Sequence, residues 1–132
     1  MILAGGLGIF FGFGLVDYFK SRISRGGPLI FTFGMLLLVL VGWFESGTDP
    51  HVTVSLLFFA VTTVGVLVVG IGETEQGEKL GFIILIIILL GAVSAFLASR
   101  ACSGAAIPEI IGAVVFGIFA LIYSYKIWST AE

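Results

Sequence analysis

His51 is the only histidine in the chain, and two carboxylates, Glu45 and Asp49, lie within six residues of it. An imidazole beside a carboxylate is the usual raw material of general acid–base chemistry, provided the groups come within hydrogen-bond reach. The stretch that holds them runs from Gly42 to Ser55, G-W-F-E-S-G-T-D-P-H-V-T-V-S, and joins two long apolar runs. Blander roles compete for each residue. Asp49-Pro50 suits a helix start, with Asp as N-cap and Pro as the first helical residue. His51 then falls in the first turn, where the helix dipole disfavours its protonated form. That leaves it free to act as a base, to contact a lipid headgroup or to bind a backbone carbonyl. Glu45 lies at the end of the preceding apolar run, where a negative charge opposes the dipole and seeks a cation.

Apolar segments must position these groups. The chain has 132 residues, of which 59% are hydrophobic and 11% charged, with a mean hydropathy of +1.24. A soluble domain is nearer a quarter charged, so the composition is that of a membrane protein. The expected architecture is an all-α bundle of five transmembrane helices in a single domain, with spans at about 2–19, 28–44, 50–72, 80–98 and 108–128. Each is long enough for a hydrocarbon core of ~30 Å. Gly26-Gly27-Pro28 reads as a turn into the second span, Glu73 to Lys79 as a short polar loop, and Ser99 to Gly104 as another. The N-terminus has no basic region and no small-residue cleavage site, so the first helix is expected to be retained rather than removed as a signal peptide.

Five of the six basic residues, Lys20, Arg22, Arg25, Lys79 and Lys126, share one side of this topology, and Arg100 alone takes the other. The positive-inside tendency therefore places the chain in the cell membrane with its N-terminus outside and its C-terminus cytoplasmic. On that topology Trp43, Glu45, His51, Arg100 and Glu109 all face outward and form the candidate binding patch, with Trp43 as an interfacial anchor and Arg100 as the outer cation for Glu45. The expected partners are membrane lipids. No cluster of Lys and Arg is large enough for a nucleic-acid partner. The single cysteine, Cys102, excludes an intrachain disulfide or a CxxC metal motif, and no cofactor or metal is implied.

Apolar surfaces do not drive helices together in lipid, so small residues should mark the packing faces. Gly8 and Gly12, Gly91 and Ala95, and Ala113 and Gly117 each form a four-residue interval. They suit a glycine-rich bundle interior, with a homo-oligomer through the first helix as the alternative. Asp17 sits at the end of its span, spaced for an ion pair with Lys20. Thr62 and Thr63 fall mid-span, where hydroxyls bond back to the preceding turn or across helices.

The run L-L-L-V-L-V-G-W-F-E-S-G-T-D-P-H-V-T-V-S-L-L-F-F-A, Leu36 to Ala60, resembles a prokaryotic multi-pass membrane family, domain of unknown function nine-nine-eight, similar in type to the eukaryotic Frag/DRAM/Sfk membrane proteins. Gly42, Phe44, Glu45, His51 and Leu57-Phe58-Phe59 occupy places that match its helix-ending turn, its histidine and its Leu-Phe-Phe-like patch. The resemblance implies a multi-pass fold over residues 1–128 and no particular reaction. It also implies six spans, against five counted here, as though the first helix of the family were missing. The function expected is a non-enzymatic membrane protein whose outer patch contacts lipid or a small amphipathic ligand. The alternatives are an interfacial lipid hydrolase or transferase using His51 with Glu45 or Asp49, and a small oligomeric transporter or channel module lined by Thr62 and Thr63.

Overall fold

In the computed structural model, which describes residues 1–102 and 104–130, the chain forms five helices. These are α1 (Ile2–Tyr18), α2 (Arg22–Trp43), α3 (Asp49–Glu75), α4 (Lys79–Ala101) and α5 (Ala106–Ser129). Of these, α2 to α5 are long and apolar enough to cross a membrane, and α1 is a shorter apolar helix of 17 residues. Among the described residues there is no strand. Ser103, within the expected Ser99–Gly104 loop, lies outside the described residues.

The helices run up and down, and glycine sets how closely they approach. A Cβ on Gly27 would lie 2.7 Å from the Val69 amide nitrogen and 2.8 Å from the Gly65 carbonyl oxygen. One on Gly65 would lie 2.7 Å from the Phe31 nitrogen. α2 and α3 therefore touch backbone to backbone, a contact any side chain would break. One face of α1 lies antiparallel along α2, with Ile2 beside Gly42, Gly8 facing Met35 and Gly12 facing Thr32. Gly70 and Gly81 bring α3 to α4, and Gly91 takes Val115 of α5. α5 closes the bundle through rings: Phe119 contacts Phe11, Phe31 and Tyr123, and Phe116 contacts Phe58 and Phe59. Such pairs add about 0.5–1.5 kcal/mol each beyond burial. Outward, Leu7, Phe10, Phe82, Leu90, Phe96 and Leu121 are exposed.

Several boundaries differ from those the sequence suggests. Gly26-Gly27-Pro28 is not a turn. α2 starts at Arg22, capped by the Ser21 hydroxyl, which accepts from the Ser24 N–H at 3.0 Å. Pro28 lies inside the helix, where membrane bundles tolerate proline because neighbouring hydroxyls and helices satisfy the freed backbone. The carbonyl its missing N–H frees is that of Ser24; separately, the Thr32 hydroxyl donates to the Pro28 carbonyl at 2.8 Å. Thr48, not Asp49, is the N-cap of α3, with Asp49 in the first turn and Pro50 behind it. The hydroxyl of Thr48 turns back instead to the Glu45 carbonyl at 2.7 Å.

The expected polar loop at 73–79 shrinks to Gln76, Gly77 and Glu78 because α3 continues to Glu75. It stops in a Schellman turn: the Glu78 N–H donates to the Glu73 carbonyl and the Gly77 N–H to the Thr74 carbonyl. Gly77 adopts the required left-handed backbone at φ 80°. α4 likewise runs on to Ala101, which puts Arg100 in its last turn rather than in a loop. A cation there complements the helix dipole.

Candidate functional site

The Gly42–Ser55 stretch becomes the end of α2, a short loop and the first turns of α3. Gly47 takes a left-handed φ of 85° in that loop. His51 reaches back across it, with Nδ1 3.2 Å from the Phe44 carbonyl oxygen. A carbonyl only accepts, so this bond requires the proton on Nδ1 and leaves Nε2 as the acceptor of the neutral ring. It also partners one of the carbonyls that a helix C-terminus leaves free. His51 is thus fixed to the end of α2 while its ring borders a cavity.

That cavity, about 910 Å³, lies between α3, α4 and α5. Its polar lining includes His51, Ser55, Thr63, Ser99 and Glu109; Ala92, Ala95, Gly112, Val115 and Phe116 are among its apolar walls. The small residues on α4 and α5 create the space, since a larger side chain at Ala92 or Ala95 would project into it. A second cavity, about 570 Å³, lies on the other side of α5, between it and α1, α2 and α3. Ala4, Gly8, Phe11, Met35, Ala113 and Gly117 contribute to it. Ser55, Phe59, Glu109 and Phe116 line both cavities. The Phe59 ring packs on Gly112 between them. Volumes of this size fall in the range of small-molecule sites, which are mostly apolar with a few placed polar groups.

The structure therefore brings His51 and Glu109 to one cavity. Glu45, Asp49 and Arg100 are exposed and do not line either cavity, and Trp43, 76% exposed, stands on the outside of α2. Among the described residues no ion pair involves Glu45, Asp49, Asp17, Arg100 or Glu109. Thr62 and Thr63 face different ways: Thr62 is fully buried against Gly34 between α2 and α3, and Thr63 lines the larger cavity. Of the small residues, Gly8, Gly12 and Gly91 receive neighbouring side chains, Ala95 and Ala113 border cavities, and Gly117 meets nothing within 4 Å. Among the described residues no group of three or more His, Cys, Asp or Glu could hold a metal ion.

Residues 1–126 match the family described as "Protein of unknown function (DUF998)". The chain belongs to this family. No curated protein and no solved structure matches it. Together with four helices long and apolar enough to span, this makes the chain a multi-pass helical-bundle membrane protein from a family whose description assigns no activity.

Two features of this family member escape sequence reasoning. One is Ser55, 6% exposed, whose hydroxyl has no hydrogen-bond partner among the described residues and which borders both cavities. A serine one turn beyond a histidine in an apolar helix gives no warning of that. The other is a polar knot at the opposite end of the bundle. Glu73, only 4% exposed, accepts from Lys126 Nζ at 2.9 Å, and Glu78 lies 3.5 Å from the same ammonium. Gln76 Nε2 donates to the Ser24 hydroxyl and to the Gly72 carbonyl, each at 2.7 Å. The Lys126 ammonium also sits over the Tyr18 ring, 5.9 Å from its centre. The available signal was that Glu73 and Lys126 each close an apolar run at the same predicted end.

Proposed function

We propose that this protein is a non-enzymatic, five-span protein of the cell membrane that holds a lipid or a small amphipathic ligand in the cavity bordered by His51, Ser55 and Glu109. The observation that carries the proposal is the cavity itself. It is large and mostly apolar, and its few polar groups include a histidine and a carboxylate contributed by two different helices. Such a lining matches a molecule with an apolar body and a polar tip. Exposed Trp43, Glu45 and Arg100 surround the same end of the bundle and contact headgroups.

Two further points support the membrane placement. At 1.5 Å per residue, α1 is about 26 Å long, and a bilayer accommodates a mismatch of a few ångströms by local thinning. Its contacts follow α2 from Gly42 to Thr32, and Leu7 and Phe10 are left exposed to lipid. Lys20, Arg22, Arg25 and Lys79 flank the end at which Lys126 meets Glu73 and Glu78, and by the positive-inside tendency this supports a cytoplasmic placement of that end with the N-terminus outside. The hydrolase alternative has less support. His51 is engaged by a backbone carbonyl, and no hydrogen bond joins it to Glu45 or Asp49 among the described residues.

Native mass spectrometry of protein released from vesicles in mild detergent tests the proposal. The wild type should carry bound lipid, and Ala92→Phe with Ala95→Phe, which fills the cavity, should carry much less at an unchanged melting temperature. Equal lipid on both proteins would contradict it.

A further inference from the structure

The two cavities are not independent. They share Ser55, Phe59, Glu109 and Phe116, and the Phe59–Gly112 contact between α3 and α5 separates them. On α5 the smaller cavity extends from Glu109 to Ser124, about 22 Å along a helix axis. On α3 the larger runs from His51 to Thr63, about 18 Å by the same rise. Each is a slot as long as the hydrocarbon depth of one leaflet, ~15 Å. Both slots reach Ser55 and Glu109 at the His51 end, and neither is closed.

The polar groups at the junction define what could sit there. Glu109, an acidic residue in the first turn of α5, lines both cavities. Among the described residues no Lys or Arg side chain lines either one, and Met1 is among those lining the smaller. An anionic headgroup would meet a like charge there and find no side-chain cation. An ammonium brings three donors and the complementary charge. Ser55 independently points to a ligand. Its hydroxyl is more than nine-tenths buried and unpaired among the described residues, as are those of Thr62 and Tyr123, but of the three residues only Ser55 lines a cavity, and it lines both. Native structures rarely leave a buried hydroxyl unpartnered, because the lost hydration is not recovered.

We propose that the two cavities together hold one two-chain lipid with an amine-bearing headgroup, one acyl chain on each side of the Phe59–Gly112 contact and the ammonium on Glu109, with Ser55 hydrogen-bonded to the headgroup. The proposal rests on the lipid-holding function above and names its ligand class. Phe58, Phe59 and Phe116 form the partition between the chains, and His51, held by Phe44, borders the headgroup from α3.

The test uses vesicles containing equal parts phosphatidylethanolamine and phosphatidylglycerol with identical acyl chains, followed by native mass spectrometry of the full chain. One phosphatidylethanolamine should be retained per chain, preferred over phosphatidylglycerol by about tenfold. Glu109→Gln should abolish the preference without lowering the melting temperature. A competition that needs no variant covers the two-chain claim: single-chain lysophosphatidylethanolamine should displace the bound lipid at least about tenfold less well than the diacyl form. Retention of both lipids without preference, or equal competition by the single-chain form, would overturn this inference while leaving lipid binding intact. Retention of no lipid would overturn the broader function and this inference together.

Discussion

At the end of the bundle that carries Lys20, Arg25 and Lys79, side chains tie the helices across one another. Lys126 of α5 binds Glu73 of α3 and lies near Glu78, and Gln76 crosses to Ser24 of α2. Below that knot α2 and α3 meet backbone to backbone at Gly27 and Gly65. At the His51 end α1 meets α2 closely at Gly5 and Gly42, but among the described residues the only side-chain tie between helices is His51 to Phe44, between consecutive helices, and α5 stands beside two cavities. The same residue class serves opposite purposes at the two ends. Gly27 and Gly65 are small so that backbones can touch, whereas Ala92, Ala95 and Ala113 are small and leave space. Since apolar burial does not discriminate between helix contacts and lipid contacts inside a membrane, packing and hydrogen bonds decide where a bundle is closed. This protein closes one end and keeps the other open.

The largest effect should come from breaking the closed end. Lys126→Met leaves Glu73 buried without its cation and should cost roughly 3 kcal/mol, the lower end for breaking a buried pair because Lys126 is partly exposed. Unfolding in mixed detergent micelles reads this loss. Adding Glu73→Gln should restore most of it. Next, Gly65→Val forces α2 and α3 apart and should cost about 1–3 kcal/mol by the same assay, as overpacking does.

Effects at the open end should be smaller. Gly117→Ala adds a methyl where nothing lies within 4 Å, so it should be neutral or gain up to about 1 kcal/mol from helix propensity. Ala92→Phe should change stability by less than about 0.5 kcal/mol, as substitutions away from packed sites do, while reducing retained lipid. If Ala92→Phe proved as destabilising as Gly65→Val, the contrast between the ends would fail.

Much of the fold was legible because membrane-spanning helices are long and apolar and their connections short. All five segments appear as helices, and the antiparallel order follows. What periodicity could not show was the use of residues that serve either role. Gly26-Gly27-Pro28 has the composition of a turn, but Ser21 caps α2 earlier and Gly27 is needed against Val69. Glu73 looks like loop because it is charged, yet Lys126, fifty-three residues later, makes it helical and buried. The candidate site was half legible. Topology puts Glu45, Asp49, His51, Arg100 and Glu109 on one outer face; in the structure His51 and Glu109 line one cavity, whereas Glu45, Asp49 and Arg100 do not, and no ion pair joins Arg100 to Glu45 among the described residues. Ser55 could not be picked out, since its importance lies in the helices that surround it.

Distances across the two ends test the contrast most directly. With Cys102→Ser as background, spin labels at Thr53 and Ile110 span α3 and α5 at the open end, and labels at Glu75 and Trp128 span them at the closed end; all four positions are exposed. Pulsed electron resonance on lipid-depleted protein should give a narrow distribution for 75–128 that ignores added phosphatidylethanolamine. The 53–110 distribution should be broader and should narrow when that lipid is returned. Equal widths at both ends, unchanged by lipid, would contradict the account.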